Sequence, residues 1–225
     1  MKKIFAISFI IIGILLLLAP TIKDKYLASK VSNSVAIIKE VTPEKIKENE
    51  QSLEAEFDYS VVEDISVTGT LLNTNKVNKD LIVGQLVIPS VKMNLTIFKG
   101  INNTNLLAGS ATMRADQKMG IGNYPLAGHY SSKEDLLFGS LMKVKVGDLI
   151  RITDKETIYE YKTYEVKVVK DDAIYIIEDQ YSMDRGKAII SLMTCYYSSK
   201  TGKRYFVLGE LVNSYPYNEE LLFQN

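Results

Sequence analysis

The sequence predicts an all-β domain, a sandwich or a closed barrel, set behind a membrane-spanning helix and a polar, helical stalk. From Leu81 onward the apolar residues come in short β-branched or aromatic runs, punctuated by glycine and proline. Residues 4–22 carry no charge, whereas residues 23–80 are rich in Lys, Glu and Asn. The chain therefore divides into an anchor (1–22), a stalk and linker (23–80) and a folded domain (81–225).

The uncharged run Ile4 to Ile22 reaches about 28 Å as a helix, close to the ~30 Å hydrocarbon core of a bilayer. Lys2 and Lys3 precede it, and Lys23, Asp24 and Lys25 follow. A cleaved signal peptide has a shorter apolar region of about 7–15 residues that ends at an A-x-A-like site. No such site directly follows here, so the run reads as an uncleaved anchor. With lysines at both ends, the positive-inside rule gives little orientation.

Thr42-Pro43-Glu44 is a helix start, with Thr as N-cap and Pro at the first helical position. The helix-forming sequence from Lys45 to Phe57 has only a thin apolar stripe of Ile46, Leu53 and Phe57. Residues 58–80 hold short strand-like pieces (Val61, Val62; Ile65, Val67) and a turn-rich end, a linker that can lie along the domain surface.

Strands are expected over Leu81–Ile88, Leu95–Phe98, Asp148–Ile152 and Arg204–Val212, with Pro89, Gly100, Gly147 and Gly202 between them. In the long run Ile158–Val169, Tyr159 and Tyr161 share one phase, while Tyr164, Val166 and Val168 take the other. A one-residue slip within one strand predicts a bulge or bend. Asn102–Gly109 and Leu136–Met142 read as short helical turns. There are no internal repeats and no low-complexity segment.

At 225 residues and 46% apolar content, the chain holds one ordinary globular domain plus extra segments. Its 27 basic and 27 acidic residues show no basic cluster, which argues against a nucleic-acid partner. Cys195 is the only cysteine and His129 the only histidine. A disulfide framework within the chain is excluded, and one His with one Cys cannot fill a tetrahedral metal site. No metal or cofactor is expected.

Cys195 ends an apolar, β-branched run (Lys187–Cys195) before the turn Ser198–Gly202, and Arg204 opens the next run. A thiol at a strand end beside a cation is a candidate nucleophile, because the thiolate is the reactive form. The plain alternative is a buried, inert cysteine. Only Arg114, Arg151, Arg185 and Arg204 are arginines, so lysine covers the surface and each arginine calls for a specific reason. Arg204 shares a strand face with Phe206 and Leu208, and its planar fork suits a developing oxyanion. Lys203 points to the opposite face.

Ser191-Leu-Met-Thr-Cys195 followed by Arg204, with Asn123-Tyr-Pro-Leu-Ala-Gly-His129 upstream, resembles the signature set of the sortases, cysteine transpeptidases of the Gram-positive cell wall. The resemblance implies an eight-stranded sortase-type β-barrel with short helices. It also implies that Cys195 attacks the Thr–Gly bond of an LPxTG-like sorting signal. Arg204 would hold the carbonyl, and His129 would protonate the leaving amine. The resulting thioester splits one hard step into two, and an amine on a peptidoglycan precursor resolves it. Ala127 and Thr194 match positions lining the family's peptide groove. The implied location is the cell membrane, single-pass, with the catalytic domain extracellular.

Two readings remain beside this one: a membrane-tethered cysteine hydrolase and a non-catalytic binding domain with Cys195 buried. A papain-like protease is disfavoured, since it places Cys before His. The short segment Lys170–Gly186 has little helical periodicity, which favours class A over class B, with class D and a variant motif as the rival. Some class A relatives bind calcium in the loop before the catalytic His. The corresponding positions here are Arg114, Gln117 and Ile121, leaving Asp116 as the only acid, with Glu178 and Asp179 across from it. Ca²⁺ wants six to eight oxygens, so activity is expected to be independent of calcium.

Overall fold

The structure, a computed structural model, describes residues 2–224. Helix α1 (Lys2–Glu40) runs 39 residues without a break. Its first part, through Ile4, Phe9 and Leu17, leaves its apolar side chains exposed, as a lipid-facing span does. This helix is long and apolar enough to cross a membrane. Its second part behaves differently. Leu27, Val31, Ser34 and Ile38 recur at helical spacing and are buried against the domain, and the Ser34 hydroxyl donates to the Ala108 carbonyl at 2.6 Å.

Helix α2 (Pro43–Asn49) starts at the expected cap, with the Thr42 side chain accepting from the Lys45 amide. It ends at Asn49, well before Phe57: Ile46 is buried, but Leu53 is fully exposed. The stripe was too thin to carry a longer helix. Residues 50–66 continue without regular structure apart from one 3₁₀ turn at Tyr59–Val61, and α3 (Val67–Leu71) follows. Residues 23–80 thus pack along the domain.

Eight strands close a barrel in the order β1-β2-β3-β4-β7-β8-β6-β5. They are β1 (Ile82–Ile88), β2 (Met93–Phe98), β3 (Ser110–Thr112), β4 (Asn123–Ala127), β5 (Leu149–Thr153), β6 (Thr157–Lys170), β7 (Ile189–Cys195) and β8 (Lys203–Pro216). Short helices α4 (Asn103–Leu106), α5 (Gln180–Arg185) and α6 (Glu219–Phe223) decorate it. The implied barrel is thus the observed one. Closure removes the exposed edges that an open sheet would leave.

The phase slip in β6 is real. Between Thr163 and Glu165 the pairing with β8 advances only from Gly209 to Leu208, which leaves Tyr164 as the extra residue. Tyr161 therefore points into the barrel, fully buried, while Val166 and Val168 face outward.

Two apolar clusters flank the wall formed by β4, β7 and β8. Leu86, Ile150, Tyr161, Leu192 and Val207 fill the barrel interior. Outside it, Ala127, Met193, Phe206 and Leu208 form a second cluster with Ile176 and Ile177 from the β6–β7 connection. This outer face is where the candidate site lies.

Candidate active site

Strand register brings the three candidate residues together. Strands β4 and β7 pair in parallel with Ala127 opposite Met193, so two residues further on His129 and Cys195 leave the sheet at the same level. The Gly128 amide extends the ladder by donating to the Met193 carbonyl at 3.0 Å. Gly128 is required there, because a Cβ would meet the Phe138 ring at 2.7 Å. Strands β7 and β8 are antiparallel with Cys195 directly opposite Arg204. Three adjacent strand ends, about 4.8 Å apart, thus present His, Cys and Arg side by side.

The Arg204 Nη1 lies 3.6 Å from the Cys195 Sγ. Lys203 is exposed, as alternation predicted. Cys195 is only 1% exposed and His129 only 3%. Burial pushes the thiol pKa up, against the lowering influence of Arg204. Burial likewise lowers the imidazole pKa to about 4, against the Glu63 backbone carbonyl and the Asp64 charge. Both groups are therefore neutral at pH 7 in this arrangement. The His129 Nδ1 is buried without a hydrogen-bond partner.

Ala127 lies in the outer cluster beneath the groove, beside Met193. Thr194 is fully buried, and its Oγ1 has no partner. By strand alternation its side chain shares the interior face of Leu192, away from the thiol, so only its backbone borders the groove.

A cavity of about 270 Å³ opens beside Arg204, lined by Val62, Met113, Ala173, Ile177, Met193 and Phe206 among others. A larger open cleft of about 860 Å³, at Ser90, Lys92, Lys143 and Asp148, holds none of the three candidate residues. The β6–β7 connection forms one wall of the smaller cavity and is firmly fastened. Arg114 grips both oxygens of Asp179 at 3.0 and 2.9 Å, and the Asn123 amide donates to the same carboxylate. The Asn123 side chain donates to the Ile176 carbonyl at 2.8 Å and accepts from Ser191 Oγ at 2.9 Å.

One covering element was not foreseen. The segment Asp58–Ser66, expected as a surface linker, lies over the site with Val62 only 2% exposed. The Val62 carbonyl accepts from Cys195 Sγ at 3.6 Å and from Arg204 Nη2 at 3.4 Å. Among the described residues no three His, Cys, Asp or Glu side chains gather as a metal site.

The sortase domain family model matches residues 86–212. Sortase A of Listeria monocytogenes is 40% identical over 221 residues, covering 98% of this chain and 96% of that protein. Sortase A of Streptococcus agalactiae is 32% identical, covering 86% of this chain and 78% of that protein. A solved structure of Listeria monocytogenes sortase A matches with a TM-score of 0.58 at 44% identity, covering 64% of this chain and 97% of the other.

Proposed function

The chain belongs to the sortase family of cell-wall sorting cysteine transpeptidases, and we propose that Cys195, His129 and Arg204 are its catalytic residues. The relatives it matches include the sortase A proteins of Listeria monocytogenes and Streptococcus agalactiae. The class D and hydrolase readings are the less favoured ones. The family acts on proteins bearing LPxTG-like signals, and the apolar N-terminal helix fits a membrane-linked enzyme.

The observation that carries the assignment is the Cys195–Arg204 contact at 3.6 Å, on the strand next to the one that delivers His129. In this reading Cys195 Sγ passes its proton to His129 as it attacks the carbonyl carbon of the Thr–Gly bond. Arg204 donates to the carbonyl oxygen as it becomes an oxyanion, and water exclusion strengthens that interaction. His129 gives its proton to the departing glycine amine, and a thioester remains on Cys195. A peptidoglycan amine then attacks the thioester, with His129 taking its proton. The Leu-Pro side of the signal lies along Ala127, Met193 and the Ile177 wall. We further propose that residues 23–225 lie outside the cell, and that 1–22, 23–80 and 81–225 act as anchor, stalk and catalytic domain.

The test is mass spectrometry of the full chain in detergent with a Leu-Pro-x-Thr-Gly peptide. The expected result is an acyl adduct on Cys195 that an added amine converts to conjugate. An adduct on another residue, or no adduct with intact peptide, overturns the assignment. Release as free acid despite excess amine would make it a hydrolase.

A further inference from the structure

The apolar span and the folded domain share one helix. Helix α1 passes from the uncharged run ending at Ile22 into the docked stripe beginning at Leu27 without a break, and its internal proline, Pro20, lies within the span. The docked half is fastened at both ends. At the end nearer the span, the Tyr26 hydroxyl donates to the Asn73 carbonyl at 2.9 Å. Lys30 Nζ donates to the same carbonyl at 2.9 Å, to Asn73 Oδ1 at 2.8 Å and to the Asn75 carbonyl at 3.3 Å. At the far end, Lys155 Nζ donates to the carbonyls of Ile38, Lys39 and Val41 at 3.2, 2.9 and 2.6 Å. That is a cation on the carbonyls a helix C-terminus leaves unpaired. Between these ends Leu27, Val31 and Ile38 are 1%, 9% and 0% exposed.

A helix fixed in this way is also a ruler. At ~1.5 Å per residue, Tyr26 stands about 6 Å, Lys30 about 12 Å and Ile38 about 24 Å beyond Ile22. A tilt of about 20° lowers these heights by less than about a tenth. The headgroup layer is roughly 5–8 Å deep on each side of the hydrocarbon core. Residues 73–75, tied to Tyr26 and Lys30, therefore fall at the headgroups, while the β5–β6 turn at Lys155 stands well clear of them. The chemistry of the near face matches. Tyr26 stands where tyrosines gather at a membrane surface. Lys25, its neighbour in the helix, and Lys76, next to Asn75, are exposed. Leu72, the residue before Asn73, is 78% exposed. Cations around an apolar tip suit a headgroup layer.

We propose that the folded domain is seated on the bilayer in which it is anchored: α1 holds it in one pose, with residues 72–76 against the lipid headgroups, which are the partner of this face. This rests on the reading of residues 4–22 as a membrane span. Residues 23–80 are then a rigid mount and not a tether of variable reach. The pose also orients the candidate site. Helix α3 packs on α1, and its Gly69 and Thr70 line a pocket of about 290 Å³ with Asn103, Leu107 and His129. Thr104, next to Asn103, accepts from the Asn73 and Asn75 side chains at 3.4 and 3.5 Å. The His129 side of the site is therefore the side joined to the seated face.

The experiment places a fluorophore at Thr74→Cys or at Glu156→Cys in the full chain carrying Cys195→Ala. The chain is reconstituted in vesicles of phosphatidylcholine and phosphatidylglycerol, with a nitroxide quencher on a fraction of the headgroups. Thr74 lies between the two anchored asparagines, Glu156 follows Lys155, and both are exposed. We expect quenching at position 74 at least about threefold stronger than at 156, given heights of about 6–12 Å against about 24 Å. A flexible Gly-Ser insertion of about ten residues between Lys25 and Tyr26 leaves the docked half of α1 intact and should bring the two labels within about twofold of each other. Equal quenching at the two labels without the insertion overturns the seating. Unequal quenching that survives the insertion overturns α1 as what holds the pose. A chain that does not float with the vesicles overturns the membrane span itself, a failure distinct from that of the seating.

Discussion

Two segments border the groove beside Arg204, the β6–β7 connection and residues 58–66, and they are held by different physics. The connection is tied by the Arg114–Asp179 fork and by Asn123, whose side chain is 1% exposed. Charge-assisted, bidentate bonds of this kind fix geometry strongly. The segment 58–66 has one buried side chain, one carbonyl on Cys195 and Arg204, and exposed hydrogen bonds at its far end. Its contacts with Cys195 and Arg204 are also those that the proposed reaction asks of a substrate. The difference separates a firmly fastened wall from a lightly held one.

Arg204 is where the two segments can be told apart most sharply, because its side-chain hydrogen bonds go to Cys195 and to the Val62 carbonyl. Arg204→Lys keeps the charge but loses the fork. We expect kcat/KM for peptide to fall about 10²–10³-fold, the range for losing one oxyanion donor, with the melting temperature nearly unchanged. A variant within a few-fold of wild type would show that Arg204 serves the segment 58–66 and not the reaction. Lys203→Ala should leave activity intact.

The next largest effect is in pH. Burial holds His129 near 4, against an ordinary value of about 6.5. The unfolded chain therefore binds the proton first as pH falls. Stability from this group is fully present above pH ~6.5 and is lost as pH falls toward 4, up to about 3 kcal/mol. The groups facing His129 from the segment 58–66 are the Glu63 backbone and the Asp64 carboxylate. Denaturant titrations at several pH values, wild type against His129→Asn, isolate the contribution. In Val62→Lys, which puts a cation beside Arg204, the difference should shrink, since a displaced segment rehydrates the imidazole; an undiminished difference would place its burial elsewhere.

Much of this architecture is legible in the sequence, and the failures have causes. The β6 slip and the β7–β8 hairpin follow from local alternation and turn residues, whereas the His, Cys, Arg set was legible through the resemblance to the sortase signature, helped by the scarcity of those residues. Each arginine has a partner, as its rarity suggested: Asp179 for Arg114, Glu160 for Arg151, Glu210 for Arg185 and Cys195 for Arg204. The spacing of Leu27, Val31, Ser34 and Ile38 was readable as a packing stripe, but the surrounding lysines masked it. Strand β3 is three small residues with no pattern of its own. Val62 had no local signal either, because its burial is created by Met193 and Phe206, distant in sequence.

Breaking the wall is the complementary experiment to displacing the segment 58–66. Arg114→Met leaves Asp179 with only the Asn123 amide and frees the connection that carries Ile176 and Ile177. The partly exposed pair sits in screened surroundings, so we expect a stability loss of only about 1–2 kcal/mol. KM for peptide should nevertheless rise about tenfold, since an ordered wall becomes one that the substrate must order. A lowered KM would make the connection a lid and not a wall.

The smallest expected effect is that of calcium, and the wall explains why. A hard divalent ion would need several carboxylate oxygens between the 113–122 loop and the β6–β7 connection. Asp179 already spends both oxygens on Arg114, which holds its pKa below the ordinary value. Asp116 bonds the same guanidinium through its exposed side. The arginine thus supplies in fixed form the positive charge that a bound ion would bring, and it cannot dissociate. Transpeptidation rates in chelator and in millimolar calcium should agree within about twofold, below the ~0.6 kcal/mol scale of thermal energy. The same comparison in Arg114→Ala sharpens the point. A calcium stimulation seen only in that variant would show that the guanidinium occupies the ion's place, whereas stimulation of the wild type would mean that the wall is less complete than its hydrogen bonds indicate.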